Sequence, residues 1–237
     1  MIKRIYKAIK SRIFPAREYD FNKSNPLGGN GERVDIKLSK RLNFSKLDIY
    51  QKSHIARYEF AKDIIRDGDV CADWACGTGY GSVLLSSKAS LVKAADINGE
   101  IIKVVQKRYS DISNVSFETT NLLSLQYHEL FDVVVSFETI EHFKEEDIPQ
   151  LLTIYIRALK KGGKVIFSTP YMQKKSADAI KLGFHFMFCI DENKINDWLK
   201  ETGFESGVFY YQDYQTHHVQ IHPGKKDFIL CVAKKPQ

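Results

Sequence analysis

From about Ser45 to Arg66 apolar residues return at helical spacing, with Leu47, Tyr50, His54, Ile55, Tyr58, Ala61 and Ile65 along one stripe. A turn at Asp67-Gly68-Asp69 follows, and the period changes to that of a short strand in VCADWA. Beyond it the chain alternates. LVKAADI reads as a strand, GEIIKVVQKRY as a helix, NVSFET as a short strand and FDVVVSF as a strand buried on both faces. DIPQLLTIYIRALK reads as a helix ended by Gly162-Gly163, KVIFSTP as a strand, and DENKINDWLKETG as a helix from an Asp191 N-cap to Gly203. Two late strands, FESGVFYY and DFILCVAKK, follow each other across a polar loop that holds His217, His218 and His222. Strand–helix alternation of this length predicts an α/β fold, a doubly wound, mostly parallel sheet covered on both faces. The last two strands have no helix between them and should pair antiparallel at one edge.

The first 44 residues do not share this pattern. Residues 1–17, MIKRIYKAIKSRIFPAR, carry six basic side chains and no acid, with Ile2, Ile5, Tyr6, Ile9 and Ile13 at helical spacing before Pro15. Residues 22–33 are dense in Gly, Asn and Pro and read as a loop. We therefore divide the chain into an extension, 1–44, and a domain, 45–237. The basic helix suits an anionic membrane surface, although packing on the domain or a second subunit is the plainer use of its apolar stripe. The net charge of +6 suits a phosphate-bearing small molecule better than nucleic acid, for which no binding module or aromatic interleaving is evident. Cysteines 71, 76, 189 and 231 form no CxxC or zinc-ribbon spacing and read as reduced thiols. No apolar run reaches the about 18–20 residues of a membrane-spanning helix, so a cytoplasmic protein, peripheral to the inner membrane face if the basic helix docks there, is expected.

The sharpest local signal is DWACGTGYG, Asp73 to Gly81, between a strand and the helical run VLLSSK. Gly77, Gly79 and Gly81 allow a tight turn and close approach of a ligand. Asp96 ends the next strand, where an acid accepts from ribose hydroxyls. The spacing is G-x-G-x-G rather than the dinucleotide G-x-G-x-x-G. Asp73 just before the loop would repel a pyrophosphate but accept from an ammonium such as that of S-adenosylmethionine (SAM).

A second cluster closes the fourth strand. In FETIEHF, Glu138, Glu141 and His142 are spaced i, i+3, i+4, which would place them on one face of a helical turn. Three uses compete: a general base in which His142 takes a hydroxyl proton and a Glu orients the ring, a metal site, and simple enrichment of a helix N-terminus.

VCADWACGTGYGSVLL resembles motif I of the class I SAM-dependent methyltransferases. AADI resembles the acidic second motif, FDVVVSFETIEHF the fourth-strand motif, and RALKKGGKVIFSTP the leader helix and fifth strand. The match runs over roughly residues 53–170. The resemblance implies a Rossmann-like, seven-stranded sheet with an antiparallel edge strand and a SAM site. There, Asp73 and the Ala75–Gly79 backbone (Ala75, Gly77, Gly79) would hold the methionine part, Asp96 the ribose and Ile97 the adenine face. Asn121 and Leu122 would lie near the adenine edge, with Asn121 where the family often has an acid, and Phe137 would face the cofactor. Arg57 and Tyr58 of HIARYEFA would reach the cofactor carboxylate or cap the substrate site. E-x-x-E-H also resembles the ubiquinone-pathway and small-RNA 2′-O-methyltransferases. That implies Glu138, Glu141, His142 and His185 around Mg²⁺ or Mn²⁺. The H-x-x-R-Y helix and STP strand end resemble enzymes acting on sugars of bacterial surface polysaccharide. The expected chemistry is methyl transfer to a hydroxyl of a sugar or nucleotide-sugar, with His142 and Glu138 catalytic. An amine acceptor stays open. The acceptor pocket should be built from Tyr171 and the 171–190 insertion, with Phe184, Phe186, Phe188 and the N-terminal segment as walls. The alternatives are a metal-dependent RNA 2′-O-methyltransferase and a non-catalytic SAM-binding module.

Overall fold

The computed structural model describes residues 34–36, 38, 44–176 and 185–237. The basic helix over 1–17, the 22–33 loop and Phe184 lie outside the described residues. The first helix, α1 (Ile49–Ile64), starts at a reciprocal cap in which the Asp48 carboxylate accepts from Gln51 N–H and the Gln51 side chain accepts from Asp48 N–H. It leads to β1 (Val70–Trp74), α2 (Tyr80–Leu85), β2 (Leu91–Asp96), α3 (Gly99–Arg108), β3 (Val115–Thr119), β4 (Phe131–Phe137), α4 (Ile148–Ala158) and β5 (Leu159–Pro170). The remainder is α5 (Glu192–Thr202), β6 (Val208–Gln212), β7 (Val219–Gln220) and β8 (Phe228–Lys234). Asp191 and Gly203 cap α5 as predicted, Gly203 with φ 84°.

The strands form one sheet in the order β3-β2-β1-β4-β5-β8-β6-β7. Strands β1 to β5 pair in parallel, and β8 runs antiparallel to both β5 and β6. The sheet has eight strands rather than seven because the His-bearing loop contributes the two-residue β7 at the outer edge. The antiparallel β8 lies one strand in from β6. Helix α4 ends at Ala158, earlier than the glycine pair implied, and Gly162 (φ 73°) and Gly163 fall within β5.

Side chains on the two faces form separate cores. Trp74, Phe131, Val134, Tyr155 and Phe167 pack on one face beneath α4 and α5. Ile55, Tyr58, Ala61, Val133, Val135 and Phe137 pack on the other beneath α1 and α2. Phe131 and Val134 share a face despite odd spacing because the β4–β5 register shifts between Phe131 and Val133. Among the described residues, no helix is long and apolar enough to cross a membrane.

One polar group ties α1 to the far strands. The Gln212 Oε1 accepts from Ser53 Oγ and from Arg57 Nη1, both at 2.9 Å. Its Nε2 donates to the carbonyls of Ser53 at 3.0 Å and His217 at 2.9 Å. Arg57 is 1% exposed, with its guanidinium 4.6 Å over the Phe228 ring. A buried cation needs its acceptor, so Gln212→Leu is expected to lower unfolding free energy by about 1.5–3 kcal/mol, the range for hydrogen bonds to charged groups. Urea denaturation with an unchanged m-value checks this; a loss under about 0.5 kcal/mol would show the bonds contribute little.

Candidate functional site

The carboxyl ends of β1, β2, β4 and β5 open on one cleft of about 1320 Å³, enough for two ligands side by side. Ala75, Cys76, Gly77 and Thr78 form its floor between β1 and α2. The three glycines do different things. Gly77 has φ 52°, and an added Cβ would meet nothing within 4 Å, so its open side is the cradle of the cleft. At Gly79 (φ 75°) a Cβ would lie 2.7 Å from the Phe117 ring, and at Gly81 it would lie 2.0 Å from the Tyr58 ring. Those two make room for protein, not ligand. Ala75 also has a left-handed φ, 64°, a position where glycine would be unstrained.

Asp96 lines the cleft at the end of β2, accepting from Gly77 N–H at 3.0 Å and Asn98 N–H at 2.9 Å. Beside it Ile97 presents an apolar side chain that is 43% exposed. Asn121 accepts from Leu123 N–H at 3.0 Å, capping the turn Leu122–Ser124, and both Asn121 and Leu122 line the wall. Phe137 lines the cleft with its ring edge-on to Tyr58 at 5.0 Å. An open glycine turn, an acid and an exposed aliphatic side chain on successive strand ends fit a nucleoside bearing no phosphate.

Two residues expected at the cofactor stand behind it. Asp73 is wholly buried and outside the cleft lining; its oxygens accept from Tyr58 Oη at 3.1 Å and Ser82 Oγ at 2.6 Å. Burial pushes its carboxyl up to about 6, against the pull of those two hydroxyls. Arg57 likewise sits behind the wall, on Gln212, with Nη1 3.9 Å from the Glu138 carboxylate.

The E-x-x-E-H cluster does not form one helical face. Glu138, just after β4, takes a left-handed φ of 49°, and only Ile140–His142 make a single 3-10 turn. Ser168 Oγ donates to the Glu138 carboxylate at 2.6 Å, and the carboxylate lines the cleft apart from the imidazoles. Glu141, buried, is grouped instead with His142 and His185, with candidate ligand atoms within 4.8 Å of one another. His185 arrives because Phe186 N–H donates to the Glu141 carbonyl at 2.8 Å. The two imidazoles meet edge-on at 5.1 Å, and His185 Nδ1 lies 2.9 Å from Gln173 Oε1. Tyr171 and Phe186 line the cleft, whereas Phe188 lies outside the lining.

A family model described as a methyltransferase domain matches residues 71–163, the stretch that builds this floor and wall. Over that stretch the chain resembles the SAM-dependent methyltransferases. Phosphoethanolamine N-methyltransferase 1 of Arabidopsis thaliana is 30% identical over 118 residues, 48% of this chain and 24% of that protein. Malonyl-[acyl-carrier protein] O-methyltransferase of Acetivibrio thermocellus is 29% identical over 99 residues, 41% of this chain and 34% of that protein. The chain thus matches only about a quarter and a third of these relatives' lengths. N-methyltransferase NodS from Bradyrhizobium japonicum, solved with S-adenosyl-L-homocysteine, shares the fold with a TM-score of 0.62 at 16% identity, over 83% of this chain and 92% of that one.

The cleft has further residues to which sequence patterns assign no role of their own. His54 lines it, its Nδ1 2.9 Å from the Tyr80 hydroxyl. Burial, then the Arg57 charge, hold that imidazole well below its ordinary range, so it is neutral. Helical spacing had read it as part of an apolar stripe. Val34 and Asp35 also line the cleft. Thr78 Oγ1 donates to the Val34 carbonyl at 2.9 Å, and Arg108 makes a forked pair with Asp35, Nη1 at 2.5 Å and Nη2 at 3.2 Å. The N-terminal segment is an expected wall of the acceptor pocket, but its sequence does not single out Val34 or Asp35 within it.

Asp73 makes stability pH-dependent. Its folded carboxyl binds a proton more tightly than the unfolded one, so its contribution is fully present below pH 3.8 and is lost as pH rises through about 6. Relative to Asp73→Asn, the wild type should lose up to about 3 kcal/mol between about pH 4 and pH 7. Urea denaturation across that range measures it, and parallel curves would contradict the raised carboxyl. Gly77→Val, which fills the cradle and strains the turn, should weaken S-adenosylhomocysteine binding at least about tenfold in calorimetry.

Proposed function

We propose that this protein transfers a methyl group from SAM to a hydroxyl of a small molecule, a sugar or nucleotide-sugar of surface polysaccharide biosynthesis, in the cytoplasm. The observation that carries the reading is that His142 lines the same cleft as the open Gly77 turn, Asp96 and Ile97. SAM, when bound, supplies an electrophilic methyl whose carbon–sulfur bond breaks as the acceptor oxygen attacks. The chain's part is alignment and proton removal. Gly77 and Ile97 leave room for the nucleoside, and Asp96, already oriented by two N–H groups, accepts from its hydroxyls. His142 takes the acceptor's proton, and the Glu141 carboxylate within 4.8 Å stabilises the resulting imidazolium. Glu138, fixed by Ser168 and near Arg57, accepts a hydrogen bond from a second acceptor hydroxyl.

The sugar assignment rests on the resemblance of the H-x-x-R-Y helix and STP strand end to bacterial surface-polysaccharide enzymes. The relatives are by name an N- and an O-methyltransferase. The shared segment therefore leaves the acceptor to the walls outside it, at residues 171–176, 185–190 and 214–228. A second reading, a divalent metal, is favoured by the grouping of Glu141, His142 and His185. These three would hold Mg²⁺ or Mn²⁺, though two imidazoles suit a softer ion better than the four-residue carboxylate-rich set did. A metal there would lower the pKa of an acceptor hydroxyl.

The test is incubation with methyl-labelled SAM and separated nucleotide-sugar, lipid-linked and RNA fractions, with and without EDTA. Label in the nucleotide-sugar fraction is expected, and label in RNA alone would overturn the reading. His142→Ala should lower kcat about 10²–10⁴-fold with S-adenosylhomocysteine affinity unchanged. Loss of activity in EDTA with recovery on Mg²⁺ or Mn²⁺ would establish the metal reading; full activity after chelation would remove it.

A further inference from the structure

We propose that the outer wall of the cleft, where Lys226 sits over the Tyr171–Tyr211 pair, is a phosphate-binding subsite for the acceptor. The inference rests on the reading above that the acceptor is a nucleotide-sugar. The turn before β8 is delivered to the active end of the sheet: Pro170 pairs with Phe228, and Tyr171 N–H donates to the Asp227 carbonyl at 2.9 Å. Lys225, Lys226 and Tyr171 line the cleft that His142 also lines.

The cation is held by rings rather than by an acid. Lys226 Nζ lies 3.6 Å from the centroid of the Tyr211 ring and 5.2 Å from that of Tyr171. Both hydroxyls donate to Glu192, Tyr171 to Oε2 at 3.1 Å and Tyr211 to Oε1. Burial opposes the Glu192 charge, but the Tyr211 and Tyr171 hydroxyls and the Lys226 charge hold its carboxyl below its usual range. That carboxylate is thus occupied in fixing the two tyrosines. Its nearest approach to Lys226 is 3.6 Å, too long for a hydrogen bond. The ammonium is therefore fixed in position by one face toward the rings, with N–H donors left for the cleft. The second acid here is also engaged, Asp227 accepting from Lys225 at 2.7 Å and from Tyr214 N–H at 2.9 Å. Tyr50, 60% exposed and edge-on to Tyr214 at 5.1 Å, offers an aromatic surface at the same mouth for the ring next to the phosphate. A positioned cation, ion-paired to Glu192 but with no hydrogen-bond acceptor within 3.5 Å among the described residues, beside a stacking surface, matches a phosphate carried on a ring-bearing molecule. The local charges sum to zero, so recognition comes from the contact rather than from long-range attraction.

The test uses the protein saturated with S-adenosylhomocysteine, titrated calorimetrically with uridine diphosphate and, separately, with uridine. Uridine diphosphate should bind at least about tenfold more tightly than uridine, as one charge-assisted hydrogen bond requires. Inorganic pyrophosphate should displace it. Lys226→Gln should lose that advantage, Lys226→Arg should keep it, and both should bind S-adenosylhomocysteine as the wild type does. Equal binding of the two probes, or wild-type affinity in Lys226→Gln, would overturn the subsite. Label transferred to a nucleotide-sugar with no Lys226 dependence would sink this inference alone. Lys226-dependent binding without label in any sugar would support the subsite and sink the sugar reading.

Discussion

A carboxylate removed from water holds the cofactor end of the domain together. Asp73 ends β1, and its two oxygens are taken by Tyr58 of α1 and Ser82 of α2. Two hydroxyls are few for a buried anion, and the raised carboxyl reflects that. The arrangement persists because it fixes two helices against one strand end. Tyr58 then packs edge-on to Phe137 and Tyr80, and Tyr80 meets His54. The wall of the cleft is thus assembled from behind, by an acid that lies outside its lining.

The acceptor side is assembled through backbone pairing. The residues just after β5 pair with those just before α5, Met172 N–H donating to the Ile190 carbonyl at 3.0 Å and Cys189 N–H to that of Gln173 at 2.9 Å. The Glu141 carbonyl anchors the returning chain, which places His185 beside His142. Main-chain bonds impose no particular side chain. The shared floor can therefore serve different acceptors while the walls vary, which is how one fold carries many specificities.

The sheet was legible because period-two and period-3.6 patterns alternate cleanly from residue 45 onward, and the caps at Asp191 and Gly203 obey local rules. The floor of the site was legible too, since Gly77, Asp96, Ile97, Asn121, Leu122 and Phe137 all line the cleft. What escaped was whatever depends on a side chain's depth or on distant partners. Spacing placed Glu138 with Glu141 and His142, but a left-handed residue in between two elements does not follow helical geometry. Arg57 looked like a ligand-facing cation, whereas its acceptor, Gln212, lies 155 residues away in sequence. The two-residue β7 is too short to carry any periodicity, and Lys226 gains its meaning only from Tyr171 and Tyr211 beneath it.

The contact at Gly81 has a consequence for evolution. A Cβ there would overlap the Tyr58 ring, so the third glycine of the motif answers to an aromatic side chain on another helix and not to the cofactor. Positions 58 and 81 therefore form one unit of selection. A small side chain at position 58 would release position 81 to carry a larger one, while positions 77 and 79 would stay as constrained as before. Scored as a set, the three glycines would count this pairing as ligand recognition. Scored separately, they divide a binding signature from a packing signature inside five residues of sequence.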